Sequence, residues 1–195
     1  MNRTVRSIVL VATLSLAVAA CTAGEGDGHA SPSPGERRTP LSKLDAVALS
    51  GDPLAAGDVE LSGHGTHPLG EVRLGGHRIV SYLTGKKCGV SVFNAEKGEV
   101  IGLRTAWPEG TSEGSNKLPG GPYFSSSASS AAKSDPWVSL SCGKSSMIIE
   151  YQSKASSKAS RLNGSISVKR SKDKYTQFVV IGSAKERAKI LAKLP

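Results

Sequence analysis

The side chains able to ligate a metal or attack a substrate through sulfur or imidazole are few: Cys21, Cys88, Cys142, His29, His64, His67 and His77. His64-Gly-Thr-His67 sets two imidazoles three residues apart in a glycine-rich stretch. His77, with one of Asp58, Glu60 or Glu71, could add further ligands to the same ion. No Cys2His2 or His-Glu-x-x-His arrangement accompanies them, so the spacing favours a polar hairpin loop between strands at Val59–Leu61 and Glu71–Leu74. No metal and no cofactor is assigned on this basis. No Cys-x-x-Cys is present to depress a thiol pKa, which argues against a redox pair or a thiolate metal site at Cys88 and Cys142.

His64-Gly-Thr-His67, with Gly70 shortly after, resembles the catalytic-histidine motif of subtilisin-like proteases, and Gly110-Thr111-Ser112 echoes that family's serine motif. The mechanics do not follow. A serine nucleophile needs a base and a group to orient it, and no Asp-Thr-Gly or Asp-Ser-Gly lies upstream. Ser112 is followed by Glu113-Gly-Ser-Asn116, which does not begin a helix. There is no G-x-S-x-G elbow and no glycine-rich phosphate loop before a helix; Leu118-Pro-Gly-Gly-Pro122 is turn chemistry.

Charge is distributed unevenly. From Gly143 to Pro195 there are 12 basic and three acidic residues, whereas Cys21 to Cys142 carries 11 basic and 13 acidic. Lys169, Arg170, Lys172 and Lys174 crowd one turn, and Lys185, Arg187, Lys189 and Lys193 follow along the last segment. Such a concentration is either a solvated face or an attraction for lipid headgroups or an anionic envelope polymer. Trp137 could share a sugar-stacking platform with Trp107 or Tyr123, although packing inside the fold is the simpler use of these rings.

The N-terminus has the layout of a secretory leader. Arg3 and Arg6 precede an apolar run from Ser7 to Ala20, and those 14 residues fall short of the roughly 20 that a spanning helix needs. The run ends in Val18-Ala19-Ala20-Cys21, which resembles the lipobox of bacterial lipoproteins. The resemblance covers about 21 residues and implies cleavage by signal peptidase II, with acyl chains such as palmitate on Cys21. Two chains anchor stably where one binds marginally, since each buried methylene contributes about 0.8 kcal/mol. The implied address is the extracytoplasmic face of the cell membrane. Thiols are oxidised there, so Cys88 and Cys142, left after Cys21 is acylated, are expected to form a disulfide. Closing a loop of that length is worth roughly 4 kcal/mol in the chain-entropy model.

Three segments must position these groups. Residues 1–20 form the leader. Residues 21–40 are rich in Gly, Ser, Pro and charge and are expected to be a disordered tether, including a solvated His29. As a coil it would hold the remainder on the order of 25 Å from the lipid. Residues 41–195 are long enough for one core and show a period of mostly two. Cys88, Val90 and Val92 alternate with Gly89, Ser91 and Phe93; Val138, Leu140 and Cys142 with Trp137, Ser139 and Ser141; Ile166 and Val168 with Ser165, Ser167 and Lys169. Each is read as a strand with one wet face, whereas Met147–Tyr151 and Tyr175–Ile181 suit central strands. Asn94 to Gly98, Cys142 to Ser146 and Arg170 to Lys174 read as short connections, which predicts an antiparallel sheet.

Ser183-Ala-Lys-Glu186 is a capping box opening a helix over 183–194, with Ala184, Ala188, Ile190, Leu191 and Leu194 as its apolar stripe. Ser42-Lys-Leu-Asp45 suggests a short helix near 43–49, stopped by Gly51 and Pro53. Gly110–Gly121 and Ser125–Ser134 are placed in loops or a poorly specified edge. The expectation is therefore a mainly β fold: one antiparallel β-sandwich or barrel-like domain with a C-terminal helix.

The function expected from these features is a membrane-anchored binding or accessory module at the cell envelope rather than an enzyme. Its partners would be membrane lipid through Cys21, an anionic polymer or lipid headgroups, and a protein that the sequence does not identify. Nucleic acid is not expected, since an exported domain with few aromatics rarely meets it. The alternative is a small hydrolase or metal-binding protein using His64 and His67.

Overall fold

The computed structural model describes residues 38–50, 65–95, 98–109, 118–129, 136–154 and 159–195. Residues 1–37, and with them the leader, Cys21 and most of the tether, lie outside this set, as do His64, Ser112 and the strand expected at Val59–Leu61.

Four strands in succession form a meander: β1 (Thr66–Leu74), β2 (His77–Thr84), β3 (Lys87–Asn94) and β4 (Gly98–Ala106). A second meander follows in another sheet, with β5 (Phe124–Ser129), β6 (Trp137–Cys142) and β7 (Ser146–Gln152). The chain then returns to add β8 (Ser160–Gly164) beside β1, and crosses back to lay β9 (Ile166–Arg170) and β10 (Thr176–Gly182) beside β7. The result is two five-stranded antiparallel sheets, ordered β4-β3-β2-β1-β8 and β5-β6-β7-β10-β9, in a sandwich-like arrangement. The fold is thus mainly β with a C-terminal helix, as expected.

The alternating residues do face inward. Cys88, Val90, Val92, Val138, Leu140, Cys142, Met147, Ile149, Val179 and Ile181 share one buried cluster with Val72, Ile79 and Leu41. Cys88 on β3 and Cys142 on β6 are joined by a disulfide, with their Cα atoms 5.7 Å apart, so the covalent link ties one sheet to the other. Gly164, at φ 94°, turns the chain from β8 to β9; a Cβ there would stand 2.4 Å from the Leu69 carbonyl oxygen. Only glycine fits this crossing.

The expected wet faces are mostly covered. On β3, Gly89, Ser91 and Phe93 are buried as fully as their neighbours, because Val80, Tyr82 and Phe93 form a second cluster on the outer face of the first sheet with Leu49 against it. On the other sheet, α1 (Ala184–Lys193) covers Ile148, Phe178 and Val180 with Ile190 and Leu194. The Ser183 hydroxyl accepts from the Glu186 N–H, as the capping box requires. The buried stripe differs from the expected one: Ala184 and Ala188 are exposed, and Glu186 is buried instead. Arg187 fixes that rotation by reaching from the helix to the Ser167 hydroxyl and the Gly182 carbonyl.

The helix expected near 43–49 does not form. A single 3-10 turn spans Leu41–Lys43, after which the chain runs extended. Its backbone groups are spent on neighbours: the Val47 N–H bonds the Pro68 carbonyl, and the Leu44 and Ala48 carbonyls accept from His67 and Asn163. These bonds replace the i to i−4 ladder that a helix would need. The serine-rich stretch near Ser125 is an edge strand, β5, tied across to β6 by a Ser125–Ser141 hydroxyl contact of 2.8 Å.

Candidate functional site

The histidines do not converge. His67 enters β1 opposite Leu83, and His77 opens β2 opposite Leu74, so the two occupy opposite ends of one hairpin. At about 3.3 Å per residue that separates them by some 20 Å. The His67 Nε2 lies 2.8 Å from the Leu44 carbonyl oxygen; a carbonyl only accepts, so Nε2 carries the proton. His77 is buried and its Nδ1 lies 2.9 Å from the Tyr151 hydroxyl, which donates to the Leu74 carbonyl. Both imidazoles hold structure together. Among the described residues no three His, Cys, Asp or Glu side chains gather where a metal ion could be held.

Glu71 is in a strand, as expected, though β1 begins earlier, at Thr66, and takes His67 out of the expected loop. Glu71 is 1% exposed and accepts from the Arg78 Nε at 3.0 Å, the Ser50 N–H at 2.7 Å and the Ser50 hydroxyl. The Arg78 guanidinium stands over the Phe93 ring, 5.4 Å from its centroid. The cluster fastens the extended segment 44–50 to the outer face of the first sheet.

The basic turn is partly committed as well. Lys169 on β9 donates its ammonium to the Leu191 and Leu194 carbonyls, closing the end of α1, and Arg170 has a polar interaction of its own. Asp173 accepts from Tyr175 N–H, Thr176 N–H and the Thr176 hydroxyl, and these bonds, the Thr176 ones foremost, hold its carboxyl below the ordinary range. Lys172, Lys174 and Tyr175 remain exposed beside it. Trp137 pairs with Gln152 at one end of β6, while Tyr123 hydrogen-bonds Ser146 at the other, so these two rings form no common platform.

A cavity lies elsewhere, at the end where the described chain begins. Arg38, Pro40, Pro108, Gly120, Gly121, Pro122, Lys144 and Ser145 line an open groove of about 540 Å³. A smaller hollow of about 90 Å³ adjoins it, sharing Arg38 and Gly120 and adding Lys189, Lys193 and Glu186 from α1. Its walls are well fixed. The Leu41 N–H bonds the Lys144 carbonyl at 2.9 Å, the Gly143 N–H bonds the Ser146 carbonyl, and the Arg38 Nη1 donates to the Gly120 carbonyl at 3.0 Å. Behind Gly120 and Gly121 stands Tyr123, whose hydroxyl donates to the Pro119 carbonyl and contacts the Ser146 hydroxyl. Burial pushes that phenol up to about 12.

None of the described groove residues is acidic, and its apolar surface comes from three pyrrolidine rings and two glycines. An arrangement of this kind favours an anion carrying an apolar portion. Sequence reasoning treated Leu118-Pro-Gly-Gly-Pro122 as a turn only; its signal as a wall was the joint presence of prolines and basic residues, which the linear order scatters over 38–40, 108, 120–122 and 144. No family model, no curated protein and no solved structure matches the chain.

Proposed function

We propose that this protein is a bacterial lipoprotein, held through acylated Cys21 at the extracytoplasmic face of the cell membrane, whose sandwich works without catalysis as a binding or accessory module. Its partner in this reading is an anionic surface, lipid headgroups first among them. One observation supports the reading most: cations gather around Arg38, on the segment that follows Cys21. Arg38 lies beside Lys144 on one side and Lys189 and Lys193 on the other, with Glu186 as the one acidic residue among the described lining. Arg38 follows Cys21 by 17 residues, and a chain of that length spans at most about 60 Å even when fully extended. A tether of that length leaves these cations within reach of the lipid.

Two measurements test the reading. Mass spectrometry of the native product should find Cys21 as the N-terminus with its sulfur acylated; a bare sulfur or a retained leader would refute the address. The mature chain carrying Cys21→Ser should sediment with phosphatidylglycerol vesicles at low salt and be released as salt rises. Equal association with phosphatidylcholine vesicles would remove the electrostatic partner.

A further inference from the structure

We propose that the groove between Arg38 and Lys144 is a binding site for a single anionic phospholipid, taking the phosphate at its rim and the start of an acyl chain along its proline wall. The inference rests on the reading just given, since it needs lipid within reach, and it adds to that reading a defined stoichiometric site in place of diffuse attraction.

The lining decides the chemistry. Arg38 and Lys144 are cationic and Ser145 contributes a hydroxyl, while none of the described lining residues is acidic. Among the described residues the exposed Arg38 guanidinium makes one hydrogen bond, from Nη1 to the Gly120 carbonyl, and its remaining N–H groups can take an oxyanion. Pro40, Pro108 and Pro122 bring apolar rings with no N–H, so this wall offers hydrocarbon contact and no donors from those residues for strand addition by a peptide. A volume of about 540 Å³ lies within the size of a small-molecule site and is too small for a folded partner. Part of the site is joined before any ligand arrives, because the Leu41 N–H bonds the Lys144 carbonyl of the β6–β7 connection. That part adds little ordering cost to binding.

The experiment uses the mature chain with Cys21→Ser and calorimetric titration of short-chain phosphatidylglycerols below their micelle concentrations. Saturable one-to-one binding is expected, tightening by up to about fourfold per added methylene until the wall is covered. Arg38→Gln and Lys144→Gln, both at the rim, should each weaken it by about tenfold. The chain-length series needs no variant, so it decides the matter even if a substitution disturbs folding.

Glycerol phosphate binding as tightly as the lipid would mean a bare phosphate site and would overturn the proposal. So would equal binding of short-chain phosphatidylcholine, or an acidic peptide that displaces the lipid and binds more tightly. If no short-chain lipid binds while salt-sensitive vesicle association persists, the groove proposal falls and the surface-module reading stands. If vesicle association is lost as well, both fall.

Discussion

The Tyr123 hydroxyl is shut between the Pro119 carbonyl and the Ser146 hydroxyl, and burial moves its ionisation up to about 12 from an ordinary 10. The folded state therefore keeps that proton through a range in which the unfolded state has lost it. The stability tied to this proton is intact below pH 10 and is lost as pH rises towards 12, a total of roughly 3 kcal/mol. Denaturant titrations across that range should show wild-type stability falling more steeply than that of Tyr123→Phe. The variant should itself be about 1 kcal/mol less stable at neutral pH, having lost the hydroxyl contacts. Parallel slopes would mean that the phenol reaches solvent. Glu71 offers a second case at this scale. It is the partner of a guanidinium with only 13% of its side chain exposed, so Glu71→Ala should cost roughly 3 kcal/mol or more by leaving that charge unpaired. Removing both charges in Glu71→Leu/Arg78→Met should recover part of the loss, because the desolvation penalty goes with them. A double variant less stable than the single one would show that the pair is not coupled in this way.

The C-terminal helix depends on a strand for its last turn. The Lys169 ammonium bonds the Leu191 and Leu194 carbonyls, which no intrahelical N–H can satisfy, and it opposes the negative end of the helix dipole. Lys169→Met should cost about 1 kcal/mol and speed amide exchange in that turn before any other part of α1; unchanged exchange there would show the contact to be dispensable. The same lysine shows where reading the linear chain stops. Charge clustering marked residues 169–174 as one basic surface, but the side chains divide between closing a helix and facing solvent, and that division is decided by packing across the sheet. Period-two alternation marks β3, β6 and β9, unbroken apolar runs mark β7 and β10, and the capping box marks α1. Alternation did not find β2, where His77–Thr84 is buried on both faces and carries no alternation, nor β8, a short strand with its residues largely exposed. Ser42-Lys-Leu-Asp45 carried a helix signal that tertiary bonds overrode. Of the candidate site, the disulfide was legible because both cysteines shared an inward phase. The groove was not, because its walls meet only after the chain has crossed between sheets.

The placement of charge over the whole sandwich makes the orientation of the molecule testable. Strand β10 runs from the basic turn at Thr176 to Gly182 beside Ser146, so the turn and the groove stand at opposite ends of one sheet. Six strand steps at about 3.3 Å put them roughly 20 Å apart, twice the distance of about 10 Å over which a charge is felt at ordinary ionic strength. If the N-terminal end faces an anionic membrane, cations at that end act on the surface and cations at the far turn do not. Arg38→Glu/Lys144→Glu should then abolish most vesicle association, whereas Lys172→Glu/Lys174→Glu, which changes net charge by the same amount, should leave it almost unaltered. Lys169 is kept out of the comparison because its loss would loosen α1. The two pairs are alike in charge and exposure and differ in which end they occupy, so equal losses would mean that net charge alone drives association. A greater loss from the far turn would place that turn on the membrane, lift the groove away from the lipid, and refute both the orientation and the headgroup site.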